Sequence, residues 1–169
     1  NIKIKKIVEK LKLLEYRGYD SAGVFALNNQ KELTLKSVGN ISKLEEILPN
    51  NFDAKMAIAH TRWATHGKPS QENCHPHASK NKEWIIVHNG IIENYATIKK
   101  ELISGGYKFE SETDSEVIAN LLQSYSQHNC LEALIKTCNM LIGSYALACI
   151  NKNKPNTIYL ARKKSPLYV

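Results

Sequence analysis

The chain has 169 residues, 23 basic against 16 acidic side chains for a net charge of +7, and 43% hydrophobic residues. That balance excludes a disordered, collagen-like or coiled-coil chain, and the length allows one compact domain burying about two thirds of the surface its unfolded form exposes. No run approaches the roughly 20 apolar residues that span a bilayer, and Asn1 opens into lysines rather than a secretory apolar core, so a cytoplasmic protein that does not bind membranes is expected.

Ile4, Ile7, Val8, Leu11 and Leu14 recur at helical spacing and predict an amphipathic helix ending before Gly18, with Lys3, Lys6 and Lys10 on its solvated face. Ser21 to Leu27 and Leu33 to Val38 read as a hairpin around Asn28-Asn29-Gln30. Ser42 with Glu45 is a capping-box pattern for a short helix through Leu48, and Ala54 to His60 is the next strand. A polar loop runs from Gly67 to about Asn81, and its position makes it a candidate closing lid, with plain surface decoration the alternative. Trp84 to Val87 is an apolar run, Asn94 can cap a helix through Ile103, and Gly105-Gly106 ends that helix. A strand at Tyr107 to Phe109 follows. Thr113 with Glu116 makes a second capping box for a helix to about Tyr125, and Leu131 to Leu141 has helical spacing. Strands at Ser144 to Ile150 and Thr157 to Ala161 close the sequence. Strands in runs, set apart from grouped helices, argue for α+β layers rather than an alternating doubly wound sheet. An excised portion of something longer is expected, because a helix begins almost at Asn1 and Val169 follows directly on a strand and a proline.

The four cysteines, Cys74, Cys130, Cys138 and Cys149, are widely spaced and form no C-x-x-C pair, so reduced thiols are expected. The positive charge is dispersed among acids without an aromatic-interleaved basic block, which argues against nucleic acid as a partner. Twenty lysines stand against three arginines, Arg17, Arg62 and Arg162. Arginine is the side chain whose planar fork suits a carboxylate or backbone oxygens. Arg62 and Asp114 together could meet the carboxylate and ammonium of a free α-amino acid. Taken singly, an ion pair explains Arg62 and helix capping explains Asp114. His88-Asn89-Gly90 reads first as a hairpin turn, since Asn-Gly between apolar runs is the strongest short signal for one. The competing reading is a side-chain amide and a glycine N–H aimed at one developing oxyanion. Five of six histidines lie between His60 and His88, but their spacing matches no zinc pattern, and neither metal nor cofactor is expected.

Four stretches carry a resemblance: Glu15 to Gly23 (EYRGYDSAG), His60 to Gly67 (HTRWATHG), His88 to Asn94 (HNGIIEN) and Glu112 to Glu116 (ETDSE). In this order, and through essentially the whole chain, the sequence resembles the glutaminase domains of class II glutamine amidotransferases. The wording of the first two favours the glutamine–fructose-6-phosphate aminotransferase (glucosamine-6-phosphate synthase) family over the amidophosphoribosyltransferases. The resemblance implies an N-terminal-nucleophile hydrolase fold, a four-layer αββα sandwich. It also implies a mechanism in which an N-terminal cysteine attacks the glutamine amide carbon, its own α-amine acting as base, to give a thioester and ammonia. Asn89 and the Gly90 N–H would form the oxyanion hole. Arg62 would hold the substrate carboxylate and Asp114 its ammonium, with Thr65 and His66 completing the pocket, Trp63 near the ammonia exit and Arg17 structural beside the nucleophile. Arg162 has no assigned role. The implied partners are glutamine, a sugar-phosphate isomerase domain beyond Val169 in the same full-length chain, and further copies in a homo-oligomer. Family members begin with Cys-Gly and a short strand, so residues 1–169 are expected to be a glutaminase domain without its nucleophile segment. Without that segment the chain should be inactive. The alternative is a truncated or degenerate module that binds an amino acid or a partner domain without catalysis.

Overall fold

The computed structural model describes residues 1–29, 31–64 and 66–167. They form two compact units, Asn1–Pro76 and His77–Val169.

In the first unit, β1 (Ile2–Lys3) leads into α1 (Ile4–Lys12) and pairs with β4 (Asp53–Ala54). β2 (Ser21–Asn28) and β3 (Lys31–Val38) form the expected hairpin, in register from Ser21↔Val38 to Asn28↔Lys31. β5 (Met56–Arg62) pairs with the other side of β2, giving the order β3-β2-β5. Alternate β2 residues Ala22, Val24 and Ala26 join Ile4, Val8 and Leu11 of α1 and Ile41 and Leu44 of α2 (Ile41–Glu46) in one buried cluster. The helical period of α1 and the twofold period of β2 thus meet on one face. α1 is shorter than its apolar spacing predicts. It stops at Lys12, Leu13 and Leu14 are exposed, and a 3₁₀ turn over Glu15–Arg17 follows. The reason is visible at Glu15, whose carboxylate accepts the Ile41 N–H at 2.7 Å and so ties the turn to the start of α2. That bond also replaces the predicted Ser42/Glu45 box. The N-cap position falls on Asn40, with no side-chain cap bond.

The second unit contains β6 (His77–Ala78), β7 (Trp84–Ile92), β8 (Gly143–Asn151) and β9 (Ile158–Lys163) in that spatial order, with antiparallel pairings. α3 (Tyr95–Ser104), α4 (Glu116–Ser124) and α5 (Cys130–Met140) contribute Ile98, Leu102, Val117, Ile118, Leu122 and Leu134 to a cluster with Trp84, Ile86, Ile92 and Leu147 of the sheet. Fully burying such side chains contributes about 1.5–3 kcal/mol each.

Three expectations fail here. Tyr107 to Phe109 forms no strand; the Tyr107 N–H instead closes the end of α3 on Leu102 O. Asn94 does precede α3, but its amide bridges Met140 O and the Ile142 N–H rather than capping the helix. Asn89-Gly90 is no turn, because β7 runs straight through it, paired with β8 from Trp84↔Asn151 to Ile92↔Gly143.

Candidate functional site

In the first unit, β5 runs two residues beyond its predicted end and delivers Arg62 as its last residue, opposite Ser21. Arg62 is 4% exposed. Its Nη2 donates to the carbonyls of His66 and of Gly67, the latter at 3.0 Å, so the side chain curls the following loop around itself. Asp20 clasps the same loop. One carboxylate oxygen, Oδ2, accepts the Ala64 N–H; the other, Oδ1, accepts the Ser21 hydroxyl at 2.8 Å and lies 3.7 Å from Arg62 Nη1. The Asp20 N–H donates to Arg62 O at 3.2 Å. Gly18 packs beneath: a Cβ there would lie 2.6 Å from the Arg62 carbonyl carbon, so no larger residue fits without moving the strand end. Among the described residues, Arg62 Nη1 is buried without a hydrogen-bond partner, and a buried donor left so is costly unless a ligand completes it.

Trp63 is exposed and meets exposed Tyr19 edge-on, centroids 5.4 Å apart. His66 is half-buried and contributes its carbonyl to Arg62. Arg17 is exposed on the 3₁₀ turn. Thr65 lies outside the described residues. The predicted lid is only partly surface. Lys68, Pro69, Gln71 and Glu72 are exposed, whereas Asn73, Cys74, His75, His77 and Ser79 are buried. Asn73 is anchored to Lys68 O at 2.9 Å, and His75 stacks against His60 with centroids 4.2 Å apart.

In the second unit, Asp114 is 3% exposed, and the N-cap position of α4 falls on Ser115. Its Oδ2 accepts the Ile92 N–H at 2.7 Å, which brings the carboxylate to the strand that carries Asn89 and Gly90. The Asn89 side chain is exposed, and Gly90 has φ +144°. A Cβ at Gly90 would fall 2.1 Å from Ser144 O, so both the left-handed backbone and the close approach of β8 require glycine. The predicted Thr113/Glu116 box is likewise redirected. Glu116 accepts the N–H groups of Glu110 and Ser111 and the Ser111 hydroxyl, at 2.9, 2.7 and 2.6 Å. Thr113 Oγ1 links Ser111 Oγ to His77 Nε2 at 3.0 and 3.1 Å. This buried network fixes the backbone on both sides of Asp114. His88 Nδ1 lies 2.8 Å from Ser115 Oγ, and burial holds its pKa below the ordinary 6.5, against the opposing pull of Asp114. None of Asp20, Ser111, the Glu116 network or the Ile92 N–H was singled out from the sequence. Asp20, Ile92 and Glu116 lie within the Glu15–Gly23, His88–Asn94 and Glu112–Glu116 stretches, which do not announce the bonds these residues make, and Ser111 lies outside all four.

The four cysteines are free, and burial raises the thiol pKa of Cys74, Cys138 and Cys149, which makes poor nucleophiles of them.

A family model described as a glutamine amidotransferase domain matches residues 60–169. The chain is 49% identical to a glutamine–fructose-6-phosphate aminotransferase (isomerizing) of Methanosarcina mazei, over 96% of this chain and 28% of that protein. It is 48% identical to the protein of the same name from Caldanaerobacter subterraneus, over 96% and 27%. The chain therefore spans little more than a quarter of these relatives. Among solved structures, the glutamine phosphoribosylpyrophosphate amidotransferase of B. subtilis matches 92% of this chain and 34% of its own, at 26% identity and a TM-score of 0.77. An allosteric regulatory enzyme of purine biosynthesis matches 90%, at 25% identity and the same TM-score. The fold is the α+β, αββα type of the N-terminal-nucleophile amidotransferases.

Proposed function

Because the chain belongs to the glutamine amidotransferase domain family, we propose that it is the glutaminase part of a longer aminotransferase and releases ammonia from glutamine for a sugar-phosphate isomerase domain of the same polypeptide. In this reading Arg62 holds the α-carboxylate of glutamine and Asp114 its α-ammonium. Thr65 and His66 complete the pocket, Trp63 lies by the path ammonia leaves on, and Arg17 orders the chain near the nucleophile. A cysteine thiolate at the N-terminus of a preceding segment attacks the side-chain amide carbon. The carbonyl oxygen takes up negative charge beside the Asn89 amide and the Gly90 N–H, ammonia departs, and water then cleaves the thioester to glutamate. Four free thiols fit a reducing compartment such as the cytoplasm, no described helix is long and apolar enough to cross a membrane, and assembly of the full-length chain into a homo-oligomer belongs to the same reading.

The observation that carries it is the buried Arg62 Nη1, which has no hydrogen-bond partner among the described residues and is a fixed cationic donor suited to a carboxylate. The test is ammonia release from glutamine by the full-length protein. Turnover abolished by replacing the N-terminal cysteine supports the glutaminase; glutamine binding without turnover would instead identify a binding module.

A further inference from the structure

Asp20 has no part in the chemistry proposed above, yet its side chain is built into the loop after Arg62. Its two oxygens do different things. Oδ2 accepts the Ala64 N–H and orders the loop, while Oδ1 faces Arg62 Nη1 at 3.7 Å and accepts the Ser21 hydroxyl. Both charges are largely removed from water, with side-chain exposures of 5% for Arg62 and 17% for Asp20, so their interaction is only weakly screened. The Nη1 that Asp20 faces is also the guanidinium nitrogen that lacks a hydrogen-bond partner among the described residues. A ligand carboxylate arriving there meets a cation whose field Asp20 already offsets in part, and it meets Asp20 itself as a like charge. Ser21, 1% exposed, donates to the oxygen nearest Arg62 and thereby draws part of that negative charge away.

We propose that Asp20 is a positioning residue that sets how strongly Arg62 grips a carboxylate: one oxygen shapes the loop, and the other restrains the guanidinium so that a product acid can leave. This rests on the reading that Arg62 binds the α-carboxylate. Asp20→Asn separates the two duties. The amide oxygen still accepts the Ala64 N–H, the amide nitrogen can donate to a reoriented Ser21 hydroxyl, and only the charge is lost. Ser21→Ala acts in the opposite sense, leaving Oδ1 to Arg62 alone.

The experiment is calorimetric binding of L-glutamate and of isoglutamine, which carries a carboxamide in place of the α-carboxylate, to the full-length protein and the two variants. The expected result is that wild type prefers glutamate, that Asp20→Asn raises this preference roughly three- to ten-fold with the Ala64 amide still slow to exchange, and that Ser21→Ala lowers it. A variant that merely loosened the loop would weaken both ligands alike. Wild-type preference for glutamate that neither variant alters overturns the role of Asp20 and leaves the Arg62 reading standing. Equal wild-type affinity for the two ligands overturns the Arg62 reading and the role of Asp20 with it. Should Asp20→Asn fail to fold, Ser21→Ala decides alone, an unchanged preference counting against the proposal.

Discussion

Asn89 and Asp114 serve different moments of the proposed reaction, so their loss reads out differently. Asn89 meets an oxygen that becomes charged only as the thiolate attacks. Asn89→Ala is expected to lower kcat by about 10²–10³ with little change in KM, as for other oxyanion donors. Asp114 meets a charge that glutamine carries throughout. Asp114→Ala is expected to raise KM by about 10–100-fold while reducing kcat less. Steady-state ammonia release on both variants of the full-length protein checks the contrast, and KM-only effects in both would contradict it. His88 gives a pH dependence of stability. Burial lowers its pKa below 6.5 in the folded protein, whereas the unfolded chain takes up a proton near that value. Below about pH 6.5 the unfolded state binds more protons, so stability falls as the pH drops and levels off once it passes the lowered folded pKa. Denaturant midpoints between pH 7 and 5 should fall more steeply for wild type than for His88→Gln.

At the scale of elements, the capping patterns located helix starts but not the bonds made there. Thr113 and Glu116 do precede and open α4, yet their side chains join Ser111 and His77 in a buried network. Asn94 precedes α3, yet it ties down residues 140–142. Such long-range partners are invisible to a rule that counts three residues along the chain. The helix that is capped by side chain is α5, where Asn129 accepts the Glu132 N–H at 3.0 Å. Asn129→Ala should cost about 1 kcal/mol of stability by chemical denaturation, without altering glutamine turnover. The apolar run of β2, the alternation of β3 and the helical spacing of α5, by contrast, were legible, because each lies in the order of neighbouring residues along the chain. Of the two readings of Asn89-Gly90, the turn fails because the dipeptide signal carries no knowledge of β8, whose Ser144 carbonyl occupies the space a Gly90 side chain would need. Gly90→Ala is therefore expected both to lower stability by about 1–3 kcal/mol and to abolish turnover, as the strand moves the oxyanion donors away. Normal kinetics in a stable Gly90→Ala protein would contradict that placement.

For the molecule as a whole, the sequence motifs announced the amidotransferase family, and the match over residues 60–169 bears that out. What they could not convey is how the motif residues are held. Arg62 is shaped by Asp20 and its own loop carbonyls in one unit, and Asp114 by the Ile92 N–H in the other. Each is buried within its own unit, Arg62 at the end of β5 and Asp114 against the last residue of β7. The relatives that the chain matches are several times longer than it is. The most direct test of the central assignment is a crystal structure of the full-length protein with L-glutamate bound. The account predicts the α-carboxylate within hydrogen-bonding distance of Arg62 Nη1 and the α-ammonium on the Asp114 carboxylate; glutamate bound with either group contacting neither residue would contradict it.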